Sequence, residues 1–360
     1  MHVIALSNQK GGCGKTTSAI TIAASFAVLG KRTLLIDLDP QAHATFGLGV
    51  SSEKLEHSMY HVLTDQIGKR KNFIEDIILP INENLDLAPG HVLLSIIEQE
   101  FTNKDESVSR LHDVLSSLSF PYDYVVIDCP PSLGFLTFNA LRAAQTVIVP
   151  IELSSFSLMG VSKLMSMIEL IRVKLQHQPK VFALSTMVDM RTRFSKHMID
   201  EIRKAFGDHI FDTLIRQGIA VRESQAKGVT LVSYDAGSKV TEDYLALSRE
   251  ILVKIANQTF EQHLLAQPRP QTPRDRIKDF VLRADNAREV YLVGDFNNWS
   301  ISPDSILWKQ EDGLWQKRVF LESGKYRYKF VVDGQWTVDP SNDHLEPNPY
   351  GGVDSVLDVQ

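Results

Sequence analysis

The sequence predicts an α/β protein whose mainly parallel sheet has helices on both faces, followed by a small antiparallel β-sandwich. Residues 1–258 alternate short apolar runs with stretches of helical periodicity, which is typical of strand–helix–strand units. From residue 276 onward, short alternating runs replace the helical pattern, and all four tryptophans lie at or beyond residue 299. A proline-rich stretch separates the two patterns. We therefore expect a first domain at 1–260, a linker at 261–275 and a β-domain at 276–360.

Composition excludes several classes of protein. The chain has 360 residues, 43% of them hydrophobic and 23% charged, with a formal net charge of −6. A polycation that coats nucleic acid is excluded, so any DNA contact would need a local basic face and would weaken with salt. The N-terminal residues do not form a signal peptide, and no run reaches the about 20 apolar residues that span a bilayer. We expect a cytoplasmic protein with no membrane role, and two cysteines inside the motifs below fit a reducing compartment.

The first motif is a glycine-rich loop between the first predicted strand and the first predicted helix. Residues 10–17 read KGGCGKTT. The glycines allow backbone N–H groups to surround phosphate oxygens, and the helix N-terminus adds the positive end of its dipole. Lys15 supplies charge to the β- and γ-phosphates, and the Thr16 hydroxyl is placed for Mg²⁺. Besides Lys15, the candidate residues for binding ATP in this loop are Gly11, Gly12, Cys13, Gly14, Thr16 and Thr17.

Carboxylates are predicted next to this loop. Asp37 and Asp39 lie at the end of the second predicted strand, in DLDPQ, and Asp128 ends the all-apolar strand YVVID. Residues two apart on a strand point to the same face, and parallel sheets bind ligands at the carboxyl ends of their strands.

The second lysine of the loop, Lys10, is not needed by an ordinary phosphate loop. It matches K-G-G-x-G-K-[ST], and the first domain therefore resembles the ParA/MinD family of ATPases. The resemblance implies that Lys10 reaches the partner's nucleotide in an ATP-dependent homodimer, and that Asp39 orients the attacking water. It also implies that Asp37 supports the Mg²⁺ shell and that Asp128 contacts Mg²⁺ through a water. Phosphoryl transfer needs positioning and charge neutralisation, so Lys10, Lys15 and Asp39 are the candidate catalytic residues.

The segment after Asp39, PQAHATFGLG, resembles the ParA branch, while the last residues alternate like a strand rather than forming a MinD-type membrane helix. The ParA resemblance implies non-specific DNA binding, association with the nucleoid, and a protein partner that stimulates ATP hydrolysis. The position of a second family arginine holds Ala220, so nearby basic residues would have to replace it. Met187 and Arg216 are expected to flank the adenine. The DNA-binding candidates are Arg191, Arg193, Arg222 and Lys227.

The β-domain contains two specific sequence motifs, VYLVGDFNNWS from Val290 and GKYRYKFVVDGQWTVDP from Gly324. Together they resemble the family 48 carbohydrate-binding module, as in the glycogen-binding domain of AMP-activated kinase β subunits. The resemblance implies that Trp299 and Trp336 form a flat platform for an α-glucan such as glycogen, and that Lys329 bonds sugar hydroxyls. Asp354 stands where the family has an asparagine, which alters that contact.

A single tryptophan is more often a core residue than a ligand platform. Trp299 follows an Asn-Asn turn and Trp336 follows an Asp-Gly turn, which favours exposure at loop tips. Trp308 and Trp315 lack such a context and are predicted to be packing or rim residues. No pair of acidic residues has a glycosidase arrangement, so we expect no sugar hydrolysis.

Two functions from different classes fit these patterns. The first is a ParA-type ATPase with Mg²⁺-dependent hydrolysis, an ATP-dependent dimer, DNA binding for partition or intracellular positioning, and an α-glucan-binding module. The alternative is a regulatory nucleotide switch whose β-domain binds a protein partner rather than sugar or DNA.

Overall fold

A seven-stranded sheet is the centre of the first part of the chain. The computed structural model describes residues 1–64, 74–100, 108–153, 157–263, 277–310 and 313–359, and the chain forms two compact units. The strand order of the sheet is β3-β4-β2-β5-β1-β6-β7. All neighbouring strands are parallel except β3, which runs antiparallel to β4. The predicted mainly parallel sheet is confirmed, whereas the β3–β4 hairpin was not predicted.

The strands of this sheet are β1 His2–Leu6, β2 Thr33–Asp37, β3 Leu79–Asn82, β4 Leu85–Ala88, β5 Tyr124–Asp128, β6 Thr146–Glu152 and β7 Lys180–Thr186. The helices are α1 Lys15–Val28, α2 His43–Gly47, α3 Met59–Leu63, α4 Ile74–Ile77, α5 Ile97–Glu100, α6 Arg110–Ser116, α7 Phe135–Ala143, α8 Ser157–Leu175, α9 Arg193–Phe206, α10 Ile219–Ala226, α11 Leu231–Tyr234 and α12 Lys239–His263.

Both faces of the sheet are covered. Ile4 and Leu6 of β1 pack into a core with α1 and α12, while Val3 and Ala5, which point to the other face, are equally buried. A strand buried on both faces needs apolar side chains at every position. This explains why the central strands read as continuous apolar runs rather than as alternating patterns.

The sheet register brings the ends of three strands together. Leu6 of β1 and Asp37 of β2 both lie opposite Asp128 of β5. The segment from residue 7 to Gly14 therefore leaves β1 next to both carboxylates, and α1 returns the chain across the sheet. The glycine-rich loop and the two aspartates meet at the carboxyl edge of the sheet, as expected for ligand sites in this architecture.

The second unit is an antiparallel β-sandwich. Its strands are β8 Ile277–Arg283, β9 Val290–Gly294, β10 Trp308–Lys309, β11 Leu314–Phe320, β12 Gly324–Val332, β13 Gln335–Thr337, β14 Leu345–Pro347 and β15 Val353–Val359. One sheet has the order β10-β11-β8, and in the other β12 pairs with β9, β13 and β15. Phe280 and Trp315 from the first sheet pack against Leu292 and Phe330 from the second. Trp315 is 4% exposed and Trp308 is 5% exposed, so neither is a surface platform.

The predicted linker begins inside the last helix of the first unit, because α12 extends to His263. Residues 264–276, which include the rest of the predicted linker, lie outside the described residues, so the proposed domain boundary stays a prediction. In the described part of the chain, no helix is both long enough and apolar enough to span a bilayer.

Candidate functional site

The loop between β1 and α1 is shaped as a phosphate cradle. Gly12 and Gly14 have φ angles of 75° and 87°, a left-handed region that side chains other than glycine rarely adopt. The Thr186 hydroxyl, at the end of β7, donates to the Cys13 carbonyl oxygen at 2.9 Å and holds the loop from outside. Lys15 is only 7% exposed, and its Nζ donates to the Lys10 carbonyl oxygen at 3.0 Å. The Lys15 ammonium therefore lies against the backbone at the start of the glycine-rich loop.

The second loop lysine makes an ion pair that the sequence analysis missed. Lys10 Nζ lies 2.5 Å from Oε2 of Glu152, the last residue of β6. The side chains of Lys10 and Glu152 are 28% and 37% exposed, so the pair lies at the surface rather than in the core. Lys10 is thus turned toward a carboxylate of its own subunit.

Asp128 has an unsatisfied environment. It is completely buried, and within the described residues neither of its carboxylate oxygens has a hydrogen-bond partner. Burial, and then the neighbouring Asp37 carboxylate, raise the pKa of Asp128 well above its usual range, while Thr16 and Lys15 act in the opposite direction. A carboxylate that is buried without compensation is unstable unless a cation or a proton neutralises it.

Asp37, by contrast, accepts hydrogen bonds at both of its carboxylate oxygens. Its Oδ2 accepts hydrogen bonds from the Thr45 backbone N–H at 2.8 Å and from the Thr45 hydroxyl at 2.7 Å, and Oδ1 accepts from Asp39 N–H at 3.2 Å. Burial raises the pKa of Asp37 to about 6, although the bonds from Thr45 oppose this shift. Asp37 therefore organises the segment from Asp39 to α2, and its carboxylate oxygens have little capacity left to coordinate a metal ion.

Asp39 lies at the rim of the same region. It is 7% exposed, and its Oδ1 accepts a hydrogen bond from the Gln41 backbone N–H at 3.0 Å. Asp39 lines a cleft of about 670 Å³ that also contains the phosphate loop. Asp39 therefore lines the same cleft as the groups that would bind a phosphate.

The same cleft contains both residues predicted to flank an adenine. Met187 is 38% exposed with a left-handed φ of 54°, and Arg216 lines the wall beside it. Asp243 holds Arg216 through bonds of 2.9 Å to Nε and 2.6 Å to Nη2, so the guanidinium is fixed in place. Tyr244, which also lines the cleft, exchanges a hydrogen bond of 2.9 Å with Ser18 of α1. The cleft thus combines phosphate-binding groups with partly apolar walls, as a nucleotide requires.

The four DNA-binding candidates are only partly brought together. Arg191 and Arg222 line a groove of about 600 Å³ together with Lys239, next to the nucleotide cleft. The Arg191 side chain is 89% exposed and pairs with Asp189 at 2.7 Å. Arg193 is the first residue of α9. Lys227 is not among the groove residues, and its ammonium lies 4.7 Å from the centre of the Tyr234 ring.

The loop between α10 and α11 contacts the loop after α2 backbone to backbone. A Cβ added to Gly228 would lie 2.6 Å from the Gly49 Cα, so neither position has room for a side chain. Gln225 of α10 also donates to the Thr17 hydroxyl at 3.1 Å. The glycine contact joins the segment that follows Asp39 to the segment that carries Arg222, and the Gln225 bond joins the latter to α1. Neither link was apparent in the sequence.

In the β-sandwich, the two predicted platform tryptophans are adjacent. The ring centres of Trp299 and Trp336 are 6.3 Å apart, and the ring planes are inclined by 33°. Trp336 is 51% exposed and lies opposite Val331, which shares a strand face with Lys329. The predicted polar contact therefore lies on the same face of the sheet as Trp336.

Lys329 and Asp354 form an ion pair. Lys329 Nζ lies 3.1 Å from Asp354 Oδ1, and their side chains are 14% and 7% exposed. Asn348, which the sequence analysis did not consider, donates its Nδ2–H to the same oxygen at 2.8 Å. The carboxylate in place of the family's asparagine is thus held by two donors at the same oxygen.

The comparisons with known proteins agree with both halves of this geometry. A family model described as an AAA domain matches residues 1–181, and one described as the glycogen recognition site of AMP-activated protein kinase matches residues 280–360. The sporulation initiation inhibitor protein Soj of Bacillus subtilis is 37% identical over 69% of this chain and 97% of its own length. The chromosome partitioning protein ParA of Myxococcus xanthus is 36% identical over 77% of this chain and 92% of its own.

Solved structures share the fold of the first domain. A cobyrinic acid a,c-diamide synthase from Mycobacterium smegmatis, bound to an ATP analogue and magnesium, superposes with a TM-score of 0.61 at 28% identity and covers 72% of this chain and 97% of its own. A plasmid partition protein from Borrelia burgdorferi bound to AMPPNP superposes with a TM-score of 0.58 at 25% identity, over 71% of this chain and 99% of its own. The chain therefore belongs to the ParA/Soj family of partitioning ATPases and carries, over residues 280–360, a domain of the AMP-activated kinase glycogen-recognition type.

Proposed function

We propose that this chain is an ATP-driven dimerisation switch that binds non-specific DNA in its ATP state and attaches that switch to an α-glucan. The observation that carries the ATP half is the buried Asp128 carboxylate without a hydrogen-bond partner, next to Lys15 and Thr16. A protein without a ligand here would retain a buried carboxylate whose desolvation Thr16 and Lys15 offset only in part, which is costly. A site for Mg²⁺ and a phosphate chain explains why the carboxylate is there.

The residues at this site fit magnesium held mostly by phosphate and water. Among the described residues, no three His, Cys, Asp or Glu side chains converge as a metal cage. The Thr16 hydroxyl and Asp128 would hold Mg²⁺, Asp128 through a water, and Asp37 would act only by shaping the adjacent segment. When bound, Mg²⁺ supplies charge neutralisation for the phosphate oxygens.

The chain's own groups perform the rest of the chemistry. The backbone N–H groups of residues 11–16 bind phosphate oxygens, and Lys15 offsets the charge that develops on the transferred phosphoryl group. Asp39 accepts a hydrogen bond from the attacking water and orients it in line with the phosphate. Lys10, once it leaves Glu152, reaches the nucleotide of the second subunit. Hydrolysis would then remove the contact that joins the two subunits and reopen the dimer.

A pair of variants tests these roles. Lys15→Ala should abolish nucleotide binding, whereas Asp39→Ala should bind ATP and remain dimeric because it cannot orient the water. Binding of labelled ATP measures the first effect, and light scattering on gel-filtered protein with saturating ATP and Mg²⁺ measures the second. An Asp39→Ala protein that stays monomeric under these conditions contradicts the assignment.

DNA binding is supported by the groove that contains Arg191, Arg222 and Lys239 beside the nucleotide cleft. Phosphate contacts of this kind depend strongly on salt. We expect Arg191→Ala and Arg222→Ala to weaken cosedimentation with non-specific DNA in ATP, and Arg172→Ala on α8 to leave it unchanged. A protein partner that stimulates hydrolysis would complete the cycle. Equal retention on DNA with ATP, with ADP and without nucleotide would exclude a DNA switch and favour a regulatory nucleotide switch.

The α-glucan proposal is supported by the two adjacent tryptophans and by the Lys329–Asp354 pair, whose lysine shares a sheet face with Trp336. An aromatic surface gives a sugar ring a large apolar contact, and the polar pair sets its orientation. Cosedimentation with glycogen should be lost when Trp299 and Trp336 are both changed to Ala. The matched control is Val281→Ala, an exposed residue of the other sheet. Glycogen binding that survives the double change, or is absent from the unaltered protein, would mean that the β-domain binds a protein partner instead.

A further inference from the structure

The turn that presents Trp299 has an unusual backbone. Asn298 and Trp299 have φ angles of 53° and 58°, so two successive residues occupy the left-handed region. This conformation is unfavourable for a residue as large as tryptophan, and it persists only where surrounding contacts enforce it. Such strained residues are concentrated at binding sites. The contacts that enforce this turn are therefore candidates for a functional role.

One acidic residue makes two of these contacts. Asp295 Oδ1 accepts a hydrogen bond from the indole Nε1–H of Trp299 at 3.0 Å. Asp295 Oδ2 accepts a hydrogen bond from the Arg327 backbone N–H at 2.8 Å. A single carboxylate thus joins the side chain of the strained residue to the backbone of β12.

The position of Asp295 in the sheet explains this bridge. The β9–β12 ladder ends where Gly294 lies opposite Tyr328, so Arg327 is the first residue of β12 beyond the pairing. The turn approaches β12 closely here, because a Cβ on Gly294 would lie 2.4 Å from the Arg327 carbonyl oxygen. Asp295 continues the ladder with a side-chain oxygen, and its other oxygen is then directed at the indole.

From this geometry we propose that Asp295 is a positioning residue for the platform: it fixes the ring of Trp299 relative to Trp336. The 33° inclination and the 6.3 Å separation of the two rings depend on where the Trp299 indole is anchored. A platform ordered before the ligand arrives loses less side-chain freedom on binding. The inference rests on the proposed glucan function for its purpose, but the ring geometry can be measured without any sugar.

The test is Asp295→Asn, with Asp304→Asn as the matched control. An asparagine has one acceptor oxygen, so it can serve Trp299 or Arg327 but not both. Asp304 is an exposed acid on the neighbouring turn, and among the described residues no hydrogen bond joins it to a tryptophan. Two adjacent indoles couple their electronic transitions and give a paired circular dichroism band whose intensity depends on ring geometry. We expect Asp295→Asn to reduce this band, to leave the melting temperature within a few degrees of the unaltered protein, and to raise the Kd for glycogen roughly three- to tenfold.

A double-mutant cycle with Trp299→Phe tests whether Asp295 acts through the indole. Phenylalanine keeps an aromatic ring but has no N–H donor, so Asp295→Asn should change glycogen affinity little in that background. Additive effects on affinity, or an unchanged dichroism band in Asp295→Asn, would overturn the proposal. If the unaltered protein binds no glycogen while the band still depends on Asp295, the glucan function fails and the positioning role stands.

Discussion

Replacing Glu152 by glutamine should strengthen ATP-dependent dimerisation. In the monomer, Lys10 Nζ lies 2.5 Å from Glu152 Oε2 of its own subunit. In the proposed dimer the same ammonium must reach the partner's nucleotide, so the ion pair has to break first. Glu152→Gln keeps the shape and the hydrogen-bonding capacity of the side chain while removing its charge. The substitution therefore lowers the free energy needed to release Lys10.

The expected size follows from the exposure of the pair. With 28% and 37% of the two side chains exposed, solvent screens the attraction, and the pair contributes about 0.5–1 kcal/mol. That corresponds to roughly a two- to fivefold change for each subunit. Because a dimer contains two such lysines, its dissociation constant should fall by roughly five- to thirtyfold.

The assay is analytical ultracentrifugation over a protein dilution series in saturating ATP and Mg²⁺, in an Asp39→Ala background that prevents hydrolysis. Glu169→Gln is the matched control, because Glu169 forms an exposed ion pair with Arg172 of the same helix. Glu169→Gln should leave the dimerisation constant unchanged. The reasoning is refuted if Glu152→Gln dimerises no more tightly than its parent, since the ion pair would then not oppose the dimer.

Three further substitutions test other parts of the structure. Asp128→Asn removes a buried carboxylate whose desolvation Thr16 and Lys15 offset only in part. Urea denaturation of the nucleotide-free protein should therefore show about 1–3 kcal/mol more stability, while ATP hydrolysis is lost. His61 Nδ1 accepts the Ser58 backbone N–H, and burial lowers the pKa of His61 to about 4. The folded pKa lies below the unfolded value of about 6.5, so the stability that the neutral ring contributes above pH 6.5 should be lost as the pH drops toward 4. The loss should be about 1 kcal/mol, because the ring is partly exposed. His61→Asn should abolish this part of the pH dependence. Gly228 has a φ of 66°, and Gly228→Ala places a methyl group against Gly49, so the free energy of unfolding should fall by about 1–3 kcal/mol. The change is measured as a lower melting temperature. An unchanged melting temperature would mean that the two loops separate easily.

The fold class and much of the nucleotide site could be predicted because the information is local. Residues 10–17 specify a tight glycine turn, a phosphate charge and a helix start within one stretch of chain. The continuous apolar runs ending in Asp37 and Asp128 indicate buried parallel strands, whose carboxyl ends meet at one edge. The structure places these motifs together as that reasoning requires. Turn residues next to Trp299 and Trp336 similarly indicated exposure: Trp336 is exposed, Trp299 is partly buried, and the two rings are adjacent.

The pairings across long sequence separations could not be predicted in this way. Lys10 and Glu152 are 142 positions apart, and they meet only because β6 pairs with β1. Asp37 is hydrogen-bonded because Thr45 of α2 lies beside it. Among the described residues, the Asp128 carboxylate oxygens have no such partner.

By itself, the sequence determined the fold class and the motifs that carry the candidate sites, because secondary structure, turn conformation and motif spacing are encoded over a few consecutive residues. Only the tertiary structure decided the state of those groups: Lys10 is held in its own subunit, Lys329 is paired with Asp354, and Asp295 anchors Trp299. Charge pairing and hydrogen bonding act over a few ångströms in space, whatever the distance along the chain. They are therefore set by strand order and register rather than by local pattern.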